Sequence, residues 1–327
     1  MIDSITLIAY VLVQEFFNFS IKFDRHSKYE YHLVYKGVTF NYYIGSQRLV
    51  IKTNAHRILQ KGCITLQNLE NYKEIVSSII FEITGIRNLS LQLSRIDYCV
   101  DLILDYENGQ IEDTVELLHK HAESYRHMKI ENIYDSSIYL KTKRGNYNLN
   151  CYDKYKEMLE KGNSYEECEQ YKGVFRLELQ IKKGKIKRQL KNNGVTRELD
   201  NYWSISSMEE YFFKFLRGFF YTGNYYRLDV ALEKVESSSY TEIMKHKLCL
   251  FLKRVNEKGI TETKKWYSYS TAKNYIELLE KMGVNPVTIA NDKDYKEMRN
   301  LLDRAKEEAE KMYFNSSKWN MKVTQNV

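Results

Sequence analysis

The sequence predicts an α+β protein in which an antiparallel sheet, with helices packed on one face, is followed by a helical C-terminal domain. Segments of alternating apolar and polar residues, rich in β-branched and aromatic side chains, recur up to Ile181. Beyond Ser206 the apolar residues recur at helical spacing instead. Small polar residues from Glu236 to Ser239 interrupt two helical patterns, and we therefore expect domains over 1–235 and 236–327.

The first domain opens with a predicted meander of strands. Over 29–53, β-branched and aromatic residues are interrupted at Lys36-Gly37 and at Gly45-Ser46, which favour turns. The elements expected next are a helix over 66–83, a strand over 91–104, a helix over 112–127, strands over 133–141 and 147–152, a polar stretch over 155–171 and a strand over 174–181. The helices expected after that cover 207–219, 225–235, 240–258, 270–282 and 292–312.

Composition indicates a globular protein of a reducing compartment. The chain of 327 residues is 43% hydrophobic, and its apolar segment 5–13 is far shorter than a membrane span, which needs roughly 20 residues. The N-terminal residues lack the basic leader of a secretory signal. Five scattered cysteines form no CxxC pair, which argues against a disulfide framework or a zinc site. We therefore expect a cytoplasmic protein with no membrane partner.

The charge distribution favours a polyanionic partner. The formal net charge is +7, and no acidic residue lies between Glu178 and Glu198. The cations of that window are Lys182, Lys183, Lys185, Lys187, Arg188, Lys191 and Arg197. They form either a surface that contacts DNA phosphates or simply the solvated face of a helix.

Two predicted strands carry carboxylates in a pattern that suits a metal ion. Because strand side chains alternate between faces, the polar faces comprise Arg95, Asp97, Cys99 and Asp101 in one strand and Arg176, Glu178 and Gln180 in the other. If both strands belong to one sheet, Asp97, Asp101 and Glu178 converge and suit Mg²⁺ or Mn²⁺. Arg95 and Arg176 would then hold phosphate. Alternatively, each strand has only a wet outer face with ion pairs.

The strand over 147–152 adds a candidate nucleophile. Tyr152 shares one face with Asn148 and Asn150, so its phenol is expected near the polar face of the sheet. An ordinary phenol has a pKa of about 10, so attack would require a nearby cation or base, and Lys154 is one candidate. Otherwise Tyr152 is only an aromatic strand residue. The chain contains no P-loop, GxGxxG, HExxH or GxSxG motif, which leaves the corresponding enzyme classes without support.

The motifs, taken in order along most of the chain, resemble the filamentous-phage gene II replication proteins and their plasmid relatives. The resemblance rests on the MID start and on the segments VIKTNAHRILQKG, LSRIDYCVDL, NCYDKYKEMLEKG, GVFRLELQI, NYWSISSMEEYFFKFLRG and FLKRVNEKG. It implies a rolling-circle replication initiator with an HUH-nickase-like, ferredoxin-like core. Such an enzyme uses a divalent metal and a 5′-phosphotyrosyl intermediate to nick a double-stranded origin at an unpaired site. The host helicase and DNA polymerase are the further partners that the resemblance implies.

Site residues transfer from the family by position. The family's nucleophilic tyrosine falls on Tyr152, and the lysine two residues later falls on Lys154. Its RID strand falls on Arg95 to Asp97, and its RxE strand on Arg176 to Glu178. Asp101 is inferred from strand alternation and not from the family. The His-hydrophobic-His strand with which the wider nickase superfamily binds metal is not found in this sequence.

Two other functions stay open at this point. One is a non-catalytic DNA-binding replication or copy-control protein, and the other is a conjugative relaxase, which shares the chemistry of nicking. The segment YSYSTAKNYIELLEKMGV has the pattern of a helix-turn-helix recognition helix after a turn, or of a plain packing helix.

Overall fold

A ten-stranded antiparallel sheet organises the protein. The computed structural model describes residues 2–60, 64–122, 128–134, 136–142 and 145–311. In chain order the strands are β1 (Ile2–Tyr10), β2 (Asp24–Ser27), β3 (Glu30–Tyr35), β4 (Val38–Tyr43), β5 (Arg48–Asn54), β6 (Gln92–Ile103), β7 (Met128–Tyr134), β8 (Ser137–Thr142), β9 (Tyr147–Asp153) and β10 (Val174–Lys182). In space their order is β2-β3-β4-β5-β1-β6-β10-β9-β8-β7. The N-terminal strand therefore lies in the middle and joins the two halves of the sheet.

Helices connect the strands and cover part of the sheet. Those in the first part of the chain are α1 (Val13–Phe17), α2 (Ala55–Leu59), α3 (Leu69–Thr84), α4 (Gln110–Ala122), α5 (Lys154–Glu160), α6 (Tyr165–Glu169) and α7 (Lys183–Asn193). Short 3₁₀ turns lie at Ser20–Lys22, Ile44–Ser46, Leu66–Asn68 and Leu199–Asn201. The meander predicted over 29–53 and the strands predicted over 91–104 and 174–181 are confirmed as β3 to β5, β6 and β10. The helix expected over 112–127 is confirmed as α4 up to Ala122, and its remainder lies outside the described residues.

Strand alternation gives the sheet one apolar and one polar face. Leu177 and Leu179 of β10 lie beside Val100 and Tyr98 of β6, and all four side chains are fully buried. The Tyr98 hydroxyl donates to the backbone oxygen of Tyr202 at 2.5 Å, which ties the segment after α7 to this face. The apolar face thus supplies the core and leaves the opposite face for polar residues.

The C-terminal part is mainly helical. A helical run contains α8 (Ile205–Ser207), a π-helical turn (Met208–Phe213) and α9 (Lys214–Phe219), and it is followed by β11 (Tyr225–Tyr226), α10 (Leu228–Glu236), α11 (Glu242–Lys264), α12 (Tyr269–Lys281), β12 (Glu297–Met298) and a helix over 301–311. Gly259, with a φ of 73°, interrupts α11 by a kink. None of the described helices is both long and apolar enough to cross a membrane.

The structure corrects two expectations about this part. The helix predicted over 225–235 starts only at Leu228, because residues before it form β11 and pair with β12. The helix predicted over 292–312 starts only at residue 301. Asn300 explains the late start, since its Nδ2 donates to the backbone oxygens of Tyr221 and Gly223 while its Oδ1 accepts from the amide of Leu302.

Contacts cross the domain boundary that we expected at Glu236. The β11–β12 pair joins residues on either side of it, and α10 packs against α11. Further contacts join the C-terminal segment to α4, because Tyr295 and Lys293 both bind the carboxylate of Asp113, at 2.6 and 2.7 Å. The two expected domains are therefore in direct contact, and the division at Glu236 stays a prediction.

Candidate active site

Three neighbouring strands bring the predicted site residues to the polar face. Direct cross-strand neighbours share a face, and the register therefore fixes which side chains meet. The rows, read from β6 through β10 to β9, are Asp101–Arg176–Tyr152, Cys99–Glu178–Asn150 and Asp97–Gln180–Asn148. The carboxylates and the tyrosine therefore lie within one patch of the sheet.

Glu178 is the centre of a hydrogen-bond network on this patch. Its Oε2 accepts from the phenol of Tyr152 at 3.0 Å. Its Oε1 accepts from Nδ2 of Asn150 at 3.0 Å and from Nε2 of Gln180 at 2.9 Å. A carboxylate offers about four lone pairs, so one acceptor position of Glu178 stays available to a further ligand. Three donors from two strands hold the carboxylate, which is only 6% exposed, in a fixed orientation.

The surroundings of Tyr152 keep its phenol protonated at rest. Burial raises the pKa of Tyr152 well above its ordinary value of 10, the charge of Glu178 raises it further, and Arg176 opposes the shift. Lys154 lies beside the ring, with its Nζ 5.9 Å from the ring centre, and is paired with Glu157 at 2.7 Å. The nearest proton acceptor for the phenol is therefore Glu178 rather than the predicted partner Lys154.

Asp97 is a buried carboxylate held by one arginine. It is 1% exposed, and Arg95 binds it through Nε to Oδ1 at 2.8 Å and through NH2 to Oδ2 at 2.5 Å. Burial raises the pKa of Asp97 to about 7, and the charges of Glu178 and Asp3 add to this shift although Arg95 opposes it. A divalent cation would relieve this crowding of negative charge, and carboxylate oxygens suit Mg²⁺ or Mn²⁺.

Arg176 and Asp101 are placed differently from their predicted roles. Nε and NH2 of Arg176 donate to the two oxygens of Asp101 at 2.7 and 2.8 Å, and NH1 donates to Oδ1 of Asp3 at 2.8 Å. With 2% exposure, the guanidinium of Arg176 cannot reach a DNA phosphate at the surface. Asp101 is not among the residues that line the cleft where Asp97 and Glu178 lie, and Arg176 balances its charge, which disfavours Asp101 as a ligand of a metal in that cleft.

Asp3 and His56 belong to the site although no sequence pattern indicated them. Asp3 lies where the pairing of β1 with β6 shifts register, between Ile2 and Ile5. Nε2 of His56, in α2, lies 3.9 Å from Oδ1 of Asp3, and Sγ of Cys99 completes a group of potential metal ligands within 4.8 Å of one another. Burial works to raise the pKa of Asp3, but Arg176, Ser4, His56 and Lys154 together lower it, so Asp3 is ionised.

A cleft lies over this patch. Its volume is about 420 Å³, and its lining includes Asp97, Glu178, Tyr152 and Asp3. Residues of α5 form one wall. That helix begins directly after β9 because Oδ1 of Asp153 accepts from the backbone amides of Tyr155 and Lys156. The cap therefore fixes where β9 ends, one residue after Tyr152, and where Lys154 begins the helix that forms the wall.

Neither rival tyrosine of this segment lies in the cleft. Tyr147 is on the opposite face, where its ring lies 5.2 Å from that of Phe215. Tyr155 is buried in α5, with its ring 5.8 Å from that of Tyr106, and it is not among the residues that line the cleft.

The basic window forms α7 at the rim of the sheet. Ile186 and Gln189 anchor one side of this helix in the core. Among the described residues, none of the cations Lys183, Lys185, Lys187, Arg188 and Lys191 forms an ion pair with an acid. Burial lowers the pKa of Lys183, and the charges of Arg48, Lys187 and Arg197 lower it further, so positive charge is concentrated here.

Comparisons with known proteins find similarity among solved structures. No protein-family model matches the chain, and no curated protein does. A rolling circle replication initiator protein from Geobacillus stearothermophilus is similar over 56% of this chain and 73% of its own, at 10% sequence identity and a TM-score of 0.30.

Proposed function

We propose that this protein is a rolling-circle replication initiator that nicks one strand of origin DNA and carries the new 5′ end on Tyr152. The observation that supports this most directly is the 3.0 Å hydrogen bond from the Tyr152 phenol to Glu178, on the floor of a polar cleft. A tyrosine needs a proton acceptor at that distance to become a nucleophile at neutral pH. The colinear gene II-type motifs place the family's nucleophile at the same residue.

The reaction follows from the network around Glu178. Oε2 of Glu178 accepts the phenolic proton as the Tyr152 oxygen attacks phosphorus, and the bond from phosphorus to the 3′ oxygen breaks. The 3′ oxygen leaves and takes up a proton from water, while the phosphotyrosyl bond retains the energy for rejoining. Arg95, whose side chain is 37% exposed at the edge of the cleft, is placed to bind a phosphate oxygen.

A divalent cation fits the same cleft. Asp97 and the remaining acceptor position of Glu178 would hold it, with Asp3 adding negative charge beside them. When bound, Mg²⁺ or Mn²⁺ would polarise a non-bridging phosphate oxygen and offset the charge that develops there. The carboxylate oxygens of this set suit a hard cation better than a soft one.

The basic helix α7 would contact the phosphates outside the cleft. Its unpaired cations give the surface that origin DNA requires, and the C-terminal helices would add duplex contacts. In this proposal the host helicase and polymerase act after the nick, and the unpaired strand at the origin enters the cleft.

The proposal is tested by covalent trapping with labelled DNA. Single-stranded oligonucleotides that cover the replicon encoding this chain are labelled at the 5′ or the 3′ end and incubated with protein and Mg²⁺. We expect an SDS-resistant adduct that carries only the 3′ label, since the protein retains the fragment whose 5′ end it has captured. Adducts with the 5′ label would contradict the proposed polarity. DNA binding without any adduct would favour the non-catalytic replication protein.

A further inference from the structure

A row of cations crosses the polar face of the sheet beside the cleft. The register pairs Lys52 of β5 with Thr6 of β1, Thr6 with Arg95 of β6, and Arg95 with Lys182 of β10. Direct neighbours across a sheet share a face, and adjacent strands lie about 4.8 Å apart. The three cations therefore lie on a line of roughly 14 Å, three strand spacings long. Arg95 belongs both to this row and to the cleft lining.

A second basic group lies four residues further along β1. Tyr10 pairs with Arg48 of β5, and Arg48 pairs with Tyr43 of β4. The guanidinium of Arg48 lies 5.9 Å from the ring centre of Tyr43, and the Tyr10 side chain is 60% exposed. Arg197 is close enough to Tyr10 for their charges to interact. An exposed ring, Tyr10, and a half-buried ring, Tyr43, are thus interleaved with cations at this end of the face.

No acid interrupts the surface between these two groups. On this face, the rows from Lys52 to Arg48 contain only neutral and cationic residues in the strands from β4 to β10. Glu30, on β3, accepts a hydrogen bond from Tyr43 and bounds the surface on that side. Lys52 is exposed, and no ion pair involves it among the described residues. Lys52 therefore offers a positive charge that no described acid neutralises, whereas Arg95 is paired with Asp97 and its side chain stays 37% exposed.

We propose that this surface is the path of the unpaired DNA strand next to the nick. Phosphates would follow the row Lys52, Arg95 and Lys182, and one or two bases would stack on Tyr10 and Tyr43. The inference rests on the nicking function proposed above and adds the residues that hold the strand outside the cleft. Positively charged grooves with aromatic rings bind single strands without base readout, because every base has a face that can stack.

The shape of the surface favours a single strand over a duplex. The row crosses neighbouring strands of one sheet and does not project a helix or ribbon that could enter a major groove. Tyr10 can contact a base face only where the bases are unpaired. The cleft that the row borders also requires an unpaired strand if Tyr152 is to reach a phosphate on the sheet floor.

The experiment measures binding without cleavage. In the background of Tyr152→Phe, which cannot form an adduct, the variants Lys52→Glu and Tyr10→Ala are titrated with a fluorescein-labelled single strand of random sequence at several salt concentrations. We expect Lys52→Glu to weaken binding roughly five-fold or more at low salt and to reduce the log-log salt slope by about 0.7 for each phosphate that the variant no longer binds. Tyr10→Ala should weaken binding about five-fold or more with an unchanged slope, because stacking releases no counterions.

Lys247→Glu is the matched control. Lys247 is exposed on α11, far along the chain from the sheet, and carries the same change of charge. If Lys52→Glu binds like Lys247→Glu, with the parent slope, the proposed path is wrong even where the wild type forms its adduct. If Lys52→Glu binds the single strand more weakly and with a smaller salt slope, but the wild type forms no adduct with any strand, the proposed path is supported. The proposed nicking function is then wrong. Circular dichroism of each variant confirms that the exposed substitutions leave the fold intact.

Discussion

Arg176 and Asp101 face each other directly across β10 and β6, joined by two parallel hydrogen bonds of 2.7 and 2.8 Å. This geometry assigns Asp101 to the stability of the sheet. We expect Asp101→Asn to lower the free energy of unfolding by roughly 3 kcal/mol, since it leaves a buried guanidinium with fewer partners. The affinity of the Asp101→Asn variant for Mn²⁺ should stay at the wild-type value. Urea unfolding and calorimetric titration measure the two quantities, and a loss of metal affinity would return Asp101 to the ligand set.

Unlike Asp101, the carboxylates Asp97 and Glu178 should be required for metal binding. Asp97→Asn and Glu178→Gln keep the size of each side chain and remove its charge, so we expect metal-dependent cleavage and Mn²⁺ binding to be lost together. DNA binding should be retained because both substitutions remove negative charge and leave Arg95 and the cations of α7 in place. Asp101→Asn serves as the matched control on the same face. Normal metal titration in both variants would show that these carboxylates form ion pairs and hydrogen bonds only.

The raised pKa of Asp97 gives a pH dependence with a definite sign. Burial, aided by Glu178 and Asp3, places this pKa at about 7 in the folded protein against an ordinary value of 3.8. Between these pH values the folded state binds the extra proton, so the contribution of Asp97 to the free energy of unfolding falls as pH rises. In metal-free protein, the free energy of unfolding of the wild type should therefore fall relative to that of Asp97→Asn by a few kcal/mol from pH 4 to pH 8. Parallel pH curves would refute this assignment.

Metal binding should show the complementary trend. A proton and a cation compete for the carboxylate of Asp97, so Mn²⁺ affinity is expected to rise as pH increases towards 7 and to level off above it. Titrations at a series of pH values measure this, and affinity that does not vary across that range would exclude Asp97 as a ligand.

The nucleophile is identified by removing single oxygen atoms. Tyr152→Phe keeps the ring and its packing but removes the atom that would attack phosphorus, so it should bind DNA normally and form no adduct. Tyr155→Phe should retain most of the activity, because Tyr155 packs against Tyr106 outside the cleft. Peptide mapping of the trapped adduct is an independent measurement, and a nucleotide recovered on Tyr155 would overturn the assignment.

The helix α7 should contribute to affinity without sequence preference. Reversing the charges of Lys187, Arg188 and Lys191 is expected to weaken binding to origin and random duplex alike and to lower the log-log salt slope by about 0.9 for each phosphate that is no longer neutralised. These side chains are exposed and carry no ion pair among the described residues, so the fold should persist. An unchanged slope would show that α7 is only a solvated helix face.

Local sequence patterns predicted the strands of the site and the faces of their side chains. Strand alternation is a property of a few consecutive residues, so it sufficed to group Asp97 with Arg95, Glu178 with Arg176 and Tyr152 with Asn150. That these three groups share one face of one sheet follows only from the register of β6, β10 and β9. Alternation could not distinguish the buried part of that face from the wet part. Arg176 is buried because Asp3 arrives from another strand and binds it, and no pattern near residue 176 contains that information.

The sequence did not predict Asp3 and His56 as site residues for the same reason. They come close only after β1 has paired with both β5 and β6, and that register depends on contacts between distant segments. The late start of the helix at residue 301 has a similar origin, since Asn300 is fixed by backbone oxygens more than 70 positions earlier in the chain.

The central position of β1 has a consequence for the order in which the protein can assemble. Asp3 and Arg176 bind each other across 173 positions of sequence, and β1 is the strand that links the two halves of the sheet. During synthesis β1 is made first, but one of its edges stays unpaired until β6 has been made. Such long-range pairing folds slowly and leaves an apolar strand edge exposed to other chains in the meantime. The nascent protein should therefore depend on chaperones, and the catalytic cleft cannot form before β9 and β10 have joined the sheet.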